Sequence, residues 1–541
     1  MFVNYSDIPG YQNLFLDYMY EFDNVAKFYK YNFRNKDEYL KIFKTVSEKN
    51  NTDRDNLVKI IIEQYSASGL SEKTRENLEL LKLKKTLAVV TGQQLGVAGG
   101  PLYTFYKIIS AIKLSNHLSE RYDEYKFVPI FWLEGDDHDF NEIRYINLIN
   151  DKNELQKFEY DSEIPEDEDR GSVGFLKINE TIETFFNQIK NNLRNTEFTP
   201  VLLSRLEEIY SKDKSLKQAF RELIFWLFDK YGLIIFDPQD REIKSLMKPV
   251  FKKELTNFRQ HTEKLVSTSA KLDDDYHAQV KIRPVNLFYS TDGGRFLIDP
   301  VDGAFRLRKK RKKYSYDELI SLIETEPENF SANVLLRPIC QDYILPTAFY
   351  IGGPSEIAYF AQATPLYDYF NIVIPIIYPR SSVSLVEKNV ASVISKYNLN
   401  ITQVFWEPDR LKEHVLSTLS DITIDTIFNG TGNKINIALD QLKESLFEFD
   451  KTISDASTKY RQKILNYLME LKGKAISVQK TKHETTLRQV DKISSSLFPN
   501  SFLQERELNF IYFMNKYGMD FLDKLMDEIE INKFEHQVIN L

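Results

Sequence analysis

Short apolar runs that end in polar or glycine residues recur along residues 87–382. Five such runs stand out: LAVVTGQQ (87–94), KFVPIFWLEGDDHD (126–139), YGLIIFDPQD (231–240), LPTAFYIGGP (345–354) and NIVIPIIYPRSS (371–382). Continuous apolar runs of this length are typical of strands buried on both faces. Because helical stretches separate them, the pattern predicts an α/β fold with a doubly wound parallel sheet. Ligands of such sheets bind beyond the carboxyl ends of the strands, where these runs become polar.

The pattern of apolar and polar residues changes outside these runs, and it predicts that the chain has three structural regions. Residues 1–85 are expected to be a helical segment packed on the core. Residues 86–435 hold the core, interrupted by two insertions at about 145–200 and 277–325, the first acidic and the second with hairpin-like pieces. Residues 436–541 are expected to be a helical, coiled-coil arm.

The coiled-coil prediction rests on apolar positions that alternate three-residue and four-residue steps. They are Leu439, Leu442, Leu446, Phe449, Ile453, Ala456 and Tyr460, and after one further four-residue step Ile464, Tyr467 and Leu471. After a break at Pro499, residues 507–529 form a second amphipathic pattern. The sequence therefore predicts an antiparallel helical arm. An exposed seam of this length favours a second copy of the chain as its partner, and thus a homodimer.

Composition narrows the class of protein. A length of 541 residues predicts two or three domains, and 42% hydrophobic residues suffice for packed cores. A net charge of −8 disfavours nucleic-acid binding. One cysteine, Cys340, suits a reducing compartment, and neither a signal-peptide pattern nor an apolar run of roughly 18 residues is present, so we expect a cytoplasmic protein without a membrane span.

A glycine-rich turn follows the first predicted strand and opens the helix that starts at Pro101. Glycines let a ligand approach the backbone, and a helix N-terminus attracts anions. The candidate anion contacts are Thr91, Gly92, Gln93, Gln94, Gly99, Gly100 and Thr104, together with the cation Lys107, which is also a candidate catalytic residue. The alternative is an ordinary strand-to-helix turn, since the spacing matches neither a P-loop nor the dinucleotide fingerprint.

An acidic turn follows the second predicted strand. It contains Glu134, Asp136, Asp137, His138, Asp139 and Glu142. Carboxylates and a histidine at a strand end could supply a base or hold Mg²⁺. We select Asp136, His138 and Asp139 as catalytic candidates, and Asp136 and Asp137 as candidate Mg²⁺ ligands. The alternative is a solvated acidic turn.

A second glycine–proline turn, GGPSE, follows the fourth predicted strand. Two such turns on different strands of one sheet are expected to line two sides of a crevice. The candidates for substrate binding here are Arg337, Gln341, Asp342, Gly352, Gly353, Ser355 and Glu356, with Asn286 from the second insertion and Arg380 after the fifth strand. Arg380 could clamp a carboxylate or a phosphate.

Three further features have a simpler interpretation. Cys340 lies among apolar residues and is expected to be buried filler rather than a nucleophile. The basic run 306–313 is expected to be a solvated face or a local docking site for an anionic substrate. Asn500, Gln504 and Arg506 follow Pro499 and are expected to cap helices, with a nucleotide site as the alternative.

Four long motifs resemble the bacillithiol biosynthesis cysteine-adding enzymes, the BshC family. They are TGQQLGVAGGPLYTFYKIISAIKLS, FWLEGDDHDFNEI, NVLLRPICQDYILPTAFYIGGPSEIAYFAQ and LFPNSFLQEREL, in the family's order between about 86 and 515. The resemblance implies a Rossmann-like core with insertions of the connecting-peptide type and a C-terminal coiled coil that dimerises. It also implies a nucleotide near the arm, which would concern Asn500, Gln504 and Arg506.

The resemblance further implies a reaction in which cysteine is added to glucosaminyl-malate by an amide bond. Such a ligase must activate a carboxylate, most simply with ATP and Mg²⁺, and needs no prosthetic group. The motifs of the class I aminoacyl-tRNA synthetases, whose core is similar, do not occur here. Two alternatives stay open: a nucleotidyltransferase-like or glycosyltransferase enzyme with another substrate, and a non-catalytic coiled-coil adaptor.

Overall fold

The chain forms two compact units in a computed structural model that describes residues 1–65, 69–137, 139–163, 171–291, 294–419 and 424–541. The first unit consists of Met1–Leu385 and Gln504–Ile539, and the second of Val386–Leu503 with Asn540–Leu541. The second unit is therefore inserted into the sequence of the first. The three-part division expected from the sequence stays a prediction beside these boundaries.

Fifteen strands occur in the described part of the chain. They are β1 Phe2–Val3, β2 Thr86–Gln94, β3 Lys126–Glu134, β4 Tyr145–Ile149, β5 Leu155–Glu159, β6 Ile234–Phe236, β7 Leu287–Thr291, β8 Gly294–Val301, β9 Ala304–Leu307, β10 Lys313–Tyr314, β11 Phe330–Ala332, β12 Thr347–Gly352, β13 Ile376–Pro379, β14 Ser382–Val386 and β15 His536–Asn540.

The helices of the first unit surround its sheets. They are α1 Asn13–Tyr20, α2 Phe22–Val25, α3 Tyr39–Lys49, α4 Arg54–Gln64, α5 Glu72–Lys82, α6 Tyr103–Arg121, α7 Phe140–Ile143, α8 Thr181–Asn192, α9 Thr199–Ile209, α10 Leu216–Phe228, α11 Arg241–Asp275, α12 Tyr316–Thr325, α13 Arg337–Ile344 and α14 Pro354–Phe370. In the second unit α15 Lys388–Lys396, α16 Pro408–Thr418, α17 Ile424–Phe449, α18 Lys451–Lys482 and α19 Glu484–Leu497 follow, and α20 Gln504–Glu507, α21 Phe510–Tyr517 and α22 Asp520–Glu528 return to the first unit.

The central sheet contains all five strands expected from the apolar runs, in the order β13-β12-β2-β3-β6. Every neighbouring pair is parallel. The chain moves from β2 through α6 to β3 in one direction, and from β12 through α14 to β13 in the other. Since such crossovers are right-handed, α6 and α14 cover opposite faces of the sheet. The doubly wound Rossmann-like fold is confirmed, and its switch point lies between β2 and β12.

Antiparallel structure occupies the two segments expected to be insertions. The strands β4 and β5 pair in the first of them. In the second, a five-stranded sheet has the order β10-β9-β8-β7-β11. Phe288 of β7 and Arg295 of β8 line the same cavity as Glu134 at the carboxyl end of β3. A third sheet joins β1, β15 and β14. None of the helices in the described residues is long and apolar enough to cross a membrane.

The coiled coil is an antiparallel hairpin of α17 and α18 inside the second unit. Arg461 Nη1 lies 2.5 Å from Asp440 Oδ1, and Lys472 Nζ lies 2.5 Å from Asp425 Oδ1, so the helices run in opposite directions. The expected continuous seam across Phe449 and Ile453 is wrong. Asp450 interrupts it, because its carboxylate accepts hydrogen bonds from the backbone N–H groups of Thr452 and Ile453 and caps α18.

The second helix of the arm, expected over 507–529, is also corrected by the structure. Asn509 caps α21 by accepting from Ile511 N at 2.9 Å, and Gly518 ends that helix at a φ of 68°. The segment therefore forms α20, α21 and α22, which belong to the first unit rather than to the hairpin. A local amphipathic pattern could not reveal these two breaks because both depend on caps.

Candidate active site

A cavity of about 470 Å³ opens beyond the carboxyl ends of β2, β3 and β12, at the switch point of the central sheet. Its size lies in the range of small-molecule sites. Eleven of the residues selected from the sequence line it: Gly92, Gln93, Gln94, Lys107, Asp137, Arg337, Gly353, Ser355, Glu356, Arg380 and Arg506. These residues come from segments far apart in the sequence, and the fold brings them together.

A buried ion pair between Lys107 and Glu356 bridges the two sides of the switch point. Lys107 Nζ lies 2.7 Å from Glu356 Oε2, and it also donates to the backbone oxygen of Gly92 and to Gln93 Oε1. Burial lowers the pKa of Lys107 against the raising effect of Glu356. Lys107 follows the glycine–proline turn after β2, and Glu356 follows the one after β12. Each turn therefore positions one partner of the ion pair.

Glu356 is fixed by two further hydrogen bonds. Its carboxylate accepts from Gly353 N at 2.8 Å, which caps the start of α14, and from Tyr350 Oη at 2.6 Å. Burial alone would raise the pKa of Glu356, but Lys107 and these donors hold it below its usual value. Lys107 thus has its donors engaged by Glu356, Gln93 and the backbone oxygen of Gly92.

Arg337 forms another wall of the cavity at the start of α13. Its guanidinium donates to Tyr359 Oη at 2.8 Å, Tyr350 Oη at 3.3 Å and Gln341 Oε1 at 3.0 Å. Its Nε lies 3.8 Å from Glu134 Oε2. Because Tyr350 also donates to Glu356, a continuous polar chain runs from Arg337 to Lys107 along the end of β12.

Glu134 ends β3 and faces the cavity with most of its carboxyl group buried. Trp132 Nε1 donates to Glu134 Oε2 at 3.2 Å. Burial raises the pKa of Glu134 to about 7, although Arg337 lowers it. The sequence places Glu134 in the acidic turn, and its burial at the end of β3 brings its pKa near neutral pH.

We expect Glu134→Gln to stabilise the protein at pH 8. The folded-state pKa lies above the ordinary value of 4.5, so the stabilising neutral form is present at low pH and is lost as the pH rises through about 7. The amide removes that loss, which should amount to about 2 kcal/mol at pH 8 after allowance for partial exposure. Urea denaturation at pH 8 and pH 4.5 measures the difference, which should vanish at the lower pH.

The exposed Glu76→Gln on α5 is the matched control, and it should change the free energy of unfolding by less than about 0.5 kcal/mol at either pH. Equal stability of Glu134→Gln and wild type at pH 8 would show that the Glu134 carboxylate is not penalised by burial.

Arg380 enters the cavity from the end of β13 and is held by an acid from the C-terminal segment. Its Nη2 donates to Glu505 Oε1 at 2.6 Å, and its Nη1 donates to the backbone oxygen of Ser381 at 2.9 Å. Glu505 also accepts from Ser382 Oγ and from Val383 N. A Cβ on Gly353 would lie 3.2 Å from Arg380 Nε, so the glycine of the second turn leaves room for this arginine.

The acidic turn holds its side chains by local contacts. Asp136 accepts from Lys244 Nζ at 2.6 Å and from Gln239 Nε2 at 2.9 Å, outside the main cavity. Asp137 lines the cavity and accepts from Gln94 Nε2. Asp139 caps α7. His138 lies outside the described residues.

The Mg²⁺ site expected at Asp136 and Asp137 has little support from the donors around it. The ammonium group of Lys244 already neutralises Asp136, and a cation beside it would be repelled. Among the residues that the structure describes, no three His, Cys, Asp or Glu side chains form a group that could hold a metal ion.

Several selected residues lie beneath the cavity instead of lining it. Thr91 Oγ1 donates to the backbone oxygen of Ile351 and ties β2 to β12. Asn286 donates to Glu254, and Gln341 and Asp342 bond to each other. Others in this group are Gly99 and Gly100 in the first turn, Thr104 at the start of α6 and Gly352 at the end of β12, all of which are buried.

Cys340 and the three residues considered for a nucleotide site have separate roles in the structure. Burial raises the pKa of Cys340 to about 12, which disfavours a reactive thiolate. The side-chain amide of Gln504 accepts a hydrogen bond from Leu385 N and donates one to the backbone oxygen of Leu385, whereas Arg506 lines the cavity. Asn500 belongs to the other compact unit. A nucleotide site at these three residues stays a prediction.

Sequence reasoning missed several lining residues. Arg295 comes from β8, and its guanidinium stacks 3.8 Å from the ring centre of Phe288 and donates to Ser331 Oγ. Tyr103, Tyr350 and Tyr359 supply hydroxyl groups. The tyrosines lie within the quoted motifs and could have been found there, but no pattern in the sequence indicates that Arg295 meets β3.

Comparison with known proteins gives the same family over both units. A model described as the N-terminal Rossmann-like domain of bacillithiol biosynthesis BshC matches residues 1–381, and one described as its C-terminal coiled-coil domain matches residues 383–541. Proteins named "Putative cysteine ligase BshC" are similar over nearly the whole chain. That of Salinibacter ruber is 33% identical over 99% of this chain and 97% of its own. That of Chloroherpeton thalassium is 34% identical over 97% of this chain and 95% of its own. That of Flavobacterium johnsoniae is 31% identical over 100% of this chain and 99% of its own.

Proposed function

The chain belongs to the bacillithiol biosynthesis BshC family, and we propose that it is the ligase that joins cysteine to glucosaminyl-malate. The names of the relatives support a cysteine ligase, and the family supports the pathway. The identity of the acceptor and the activation of the carboxyl group are parts of the proposal.

One observation carries the proposal: the charge of the cavity. Among the described residues that line it, five are cationic, namely Lys107, Arg295, Arg337, Arg380 and Arg506, and three are acidic, namely Glu134, Asp137 and Glu356. The whole chain carries a net charge of −8. A local excess of cations in an acidic protein favours an anionic ligand, and glucosaminyl-malate carries two carboxylates.

The reaction that fits is amide formation on an activated carboxyl group. The amine of glucosaminyl-malate attacks the carboxyl carbon of cysteine, which has first been converted to a phosphate or adenylate anhydride by ATP. The C–N bond forms, the bond from that carbon to the phosphate oxygen breaks, and the amine loses a proton. A cavity that holds both substrates close together would favour this step.

Reconstitution tests the proposal. The purified chain is mixed with glucosaminyl-malate, cysteine, ATP and Mg²⁺, and the thiol product is followed by mass spectrometry, with parallel mixtures that lack ATP or cysteine. We expect product only in the complete mixture. Product without ATP would overturn the activation step but retain the ligase, and no product in any mixture would overturn the ligase.

We also propose that the hairpin pairs with a second copy of the chain. The apolar residues expected to form a seam lie on the exposed face of α18: Ile453, Tyr460, Ile464, Tyr467 and Leu471 are between 40% and 70% exposed. The residues of α18 that face α17 include Ser454, Arg461 and Lys472. Apolar residues of both helices, among them Leu442, Ile453 and Ile464, line one groove. An exposed apolar groove of this kind favours association with another helix.

Tyr467→Glu is expected to convert the dimer into a monomer, because it places a charge at the most exposed position of the stripe. Light scattering after size exclusion, at micromolar protein, measures the mass. Gln462→Glu, on an exposed position of the same helix outside the stripe, is the matched control and should stay dimeric. A wild-type monomer, or a variant that stays dimeric, would contradict this arrangement.

A further inference from the structure

The helix α20 brings one guanidinium group to the cavity from a distant part of the sequence. Arg506 lines the cavity and is exposed. Among the described residues it has no hydrogen-bond or ion-pair partner, whereas Lys107, Arg337 and Arg380 are each engaged by protein groups. A guanidinium in a binding cavity without a protein partner is available to a ligand.

Arg380 and Arg506 lie close to the same tyrosine. The centre of the Arg380 guanidinium lies 5.4 Å from the ring centre of Tyr103. Burial raises the pKa of Tyr103, and both Arg506 and Arg380 act against this rise. The hydroxyl of Tyr103 accepts from Gln93 Nε2 at 3.3 Å. One wall of the cavity is therefore formed by two cations, Arg380 and Arg506, and by two neutral polar side chains, Tyr103 and Gln93.

The position of Arg380 is fixed before any ligand binds. Glu505 and the backbone of Ser381 hold two of its nitrogen atoms, and Gly353 leaves space beside its Nε. Arg506 is the next residue after Glu505, so the segment that holds one arginine supplies the other. Because a fixed guanidinium loses little entropy on binding, Arg380 can orient a ligand that Arg506 attracts.

We propose that Arg380 and Arg506 form a carboxylate subsite that takes the malate end of the acceptor. This assignment rests on the proposed function for the identity of the acceptor. A guanidinium group matches the planar fork of a carboxylate, and malate offers two of them. Binding of the malate end at this wall leaves the amine of the sugar for the remainder of the cavity, where Glu134 and Asp137 supply negative charge.

Calorimetric titration of the full chain tests the subsite without requiring turnover. The ligands are glucosaminyl-malate, methyl glucosaminide, which lacks the carboxylates, malate and ATP. We expect Arg506→Gln to raise the Kd of glucosaminyl-malate and of malate about tenfold to hundredfold, the usual range for one charged hydrogen-bonding partner. The Kd values of methyl glucosaminide and ATP should stay the same.

Arg75→Gln is the matched control, since Arg75 is an exposed arginine on α5 outside the cavity. It should leave all four Kd values unchanged and so exclude a general effect of net charge. A Kd of glucosaminyl-malate in Arg506→Gln within about twofold of wild type would overturn the subsite. A selective loss of ATP binding would overturn it in favour of phosphate, and an equal loss for methyl glucosaminide would overturn it in favour of a contact to the sugar.

Failure of the proposed function gives a different result. If no cysteine is added in the reconstitution but Arg506→Gln still weakens malate selectively, the subsite stands and the ligase falls. If the ligase is active but the variant binds malate and glucosaminyl-malate like wild type, the ligase stands and the subsite falls. Wild-type protein that binds neither ligand would overturn the subsite.

Discussion

Lys107→Met is expected to lower the free energy of unfolding by about 3–5 kcal/mol, the usual cost of removing one partner of a buried ion pair. Lys107 is 2% exposed, and its ammonium is the charged partner of Glu356. Methionine fills a similar volume but leaves the carboxylate with only Tyr350 and Gly353 as donors. Urea denaturation at pH 7 measures the loss, and we expect cysteine addition to disappear with it.

The double variant Lys107→Met/Glu356→Gln separates charge from packing. It removes both members of the pair, so no unpaired buried charge remains, and it should recover more than half of the lost stability. Catalysis should not return, since both groups lie in the cavity. A single variant that loses less than about 1 kcal/mol, the range of exposed pairs, would contradict a tightly coupled buried pair.

Gly96→Ala should destabilise the protein by about 3 kcal/mol or more, because overpacked sites relax at high cost when backbone is in the way. An added Cβ would lie 2.6 Å from Gly100 Cα and 2.9 Å from Gly100 N. Backbone atoms cannot rotate away, so the loop between β2 and α6 must move. Such a movement displaces the start of α6, which carries Tyr103 and Lys107 into the cavity.

Gly473→Ala is the control for this substitution. Gly473 lies inside α18, where an added Cβ would meet nothing within 4 Å. Alanine is the better helix former by about 1 kcal/mol, so this variant should be as stable as wild type or more stable. Thermal melting of both variants measures the contrast. A Gly96→Ala protein that melts with wild type would show that the loop has another conformation open to it.

The central sheet could be predicted from the sequence because buried parallel strands need continuous apolar runs. All five runs became neighbouring parallel strands, and their polar ends met at one edge. Lys107, Glu356 and Arg380 could be selected for the same reason, since each follows a strand or starts a helix. Local chemistry and position along the chain were sufficient for these residues.

The partners of these residues could not be predicted, because each buried pair joins distant segments. Glu505 lies 125 residues from Arg380, and its carboxylate looks like an ordinary surface charge in the sequence. The continuous apolar seam predicted for the coiled coil was wrong for another reason. Arg461 and Lys472 pair with acids of α17, while the apolar residues line a groove on one face of the two helices and stay largely exposed. An apolar pattern alone cannot distinguish the two faces.

The order of the two units along the chain has a consequence for biosynthesis. The ribosome synthesises Val386–Leu503, with the whole hairpin, before Gln504–Ile539. Until then Arg380 is without Glu505, and the loop before α6 is without Asn509, whose side chain bonds Ala98 and Gly100. The hairpin needs only near neighbours and can fold early. The cavity is therefore completed last, and a nascent chain that stops short of residue 504 has no finished site to fill.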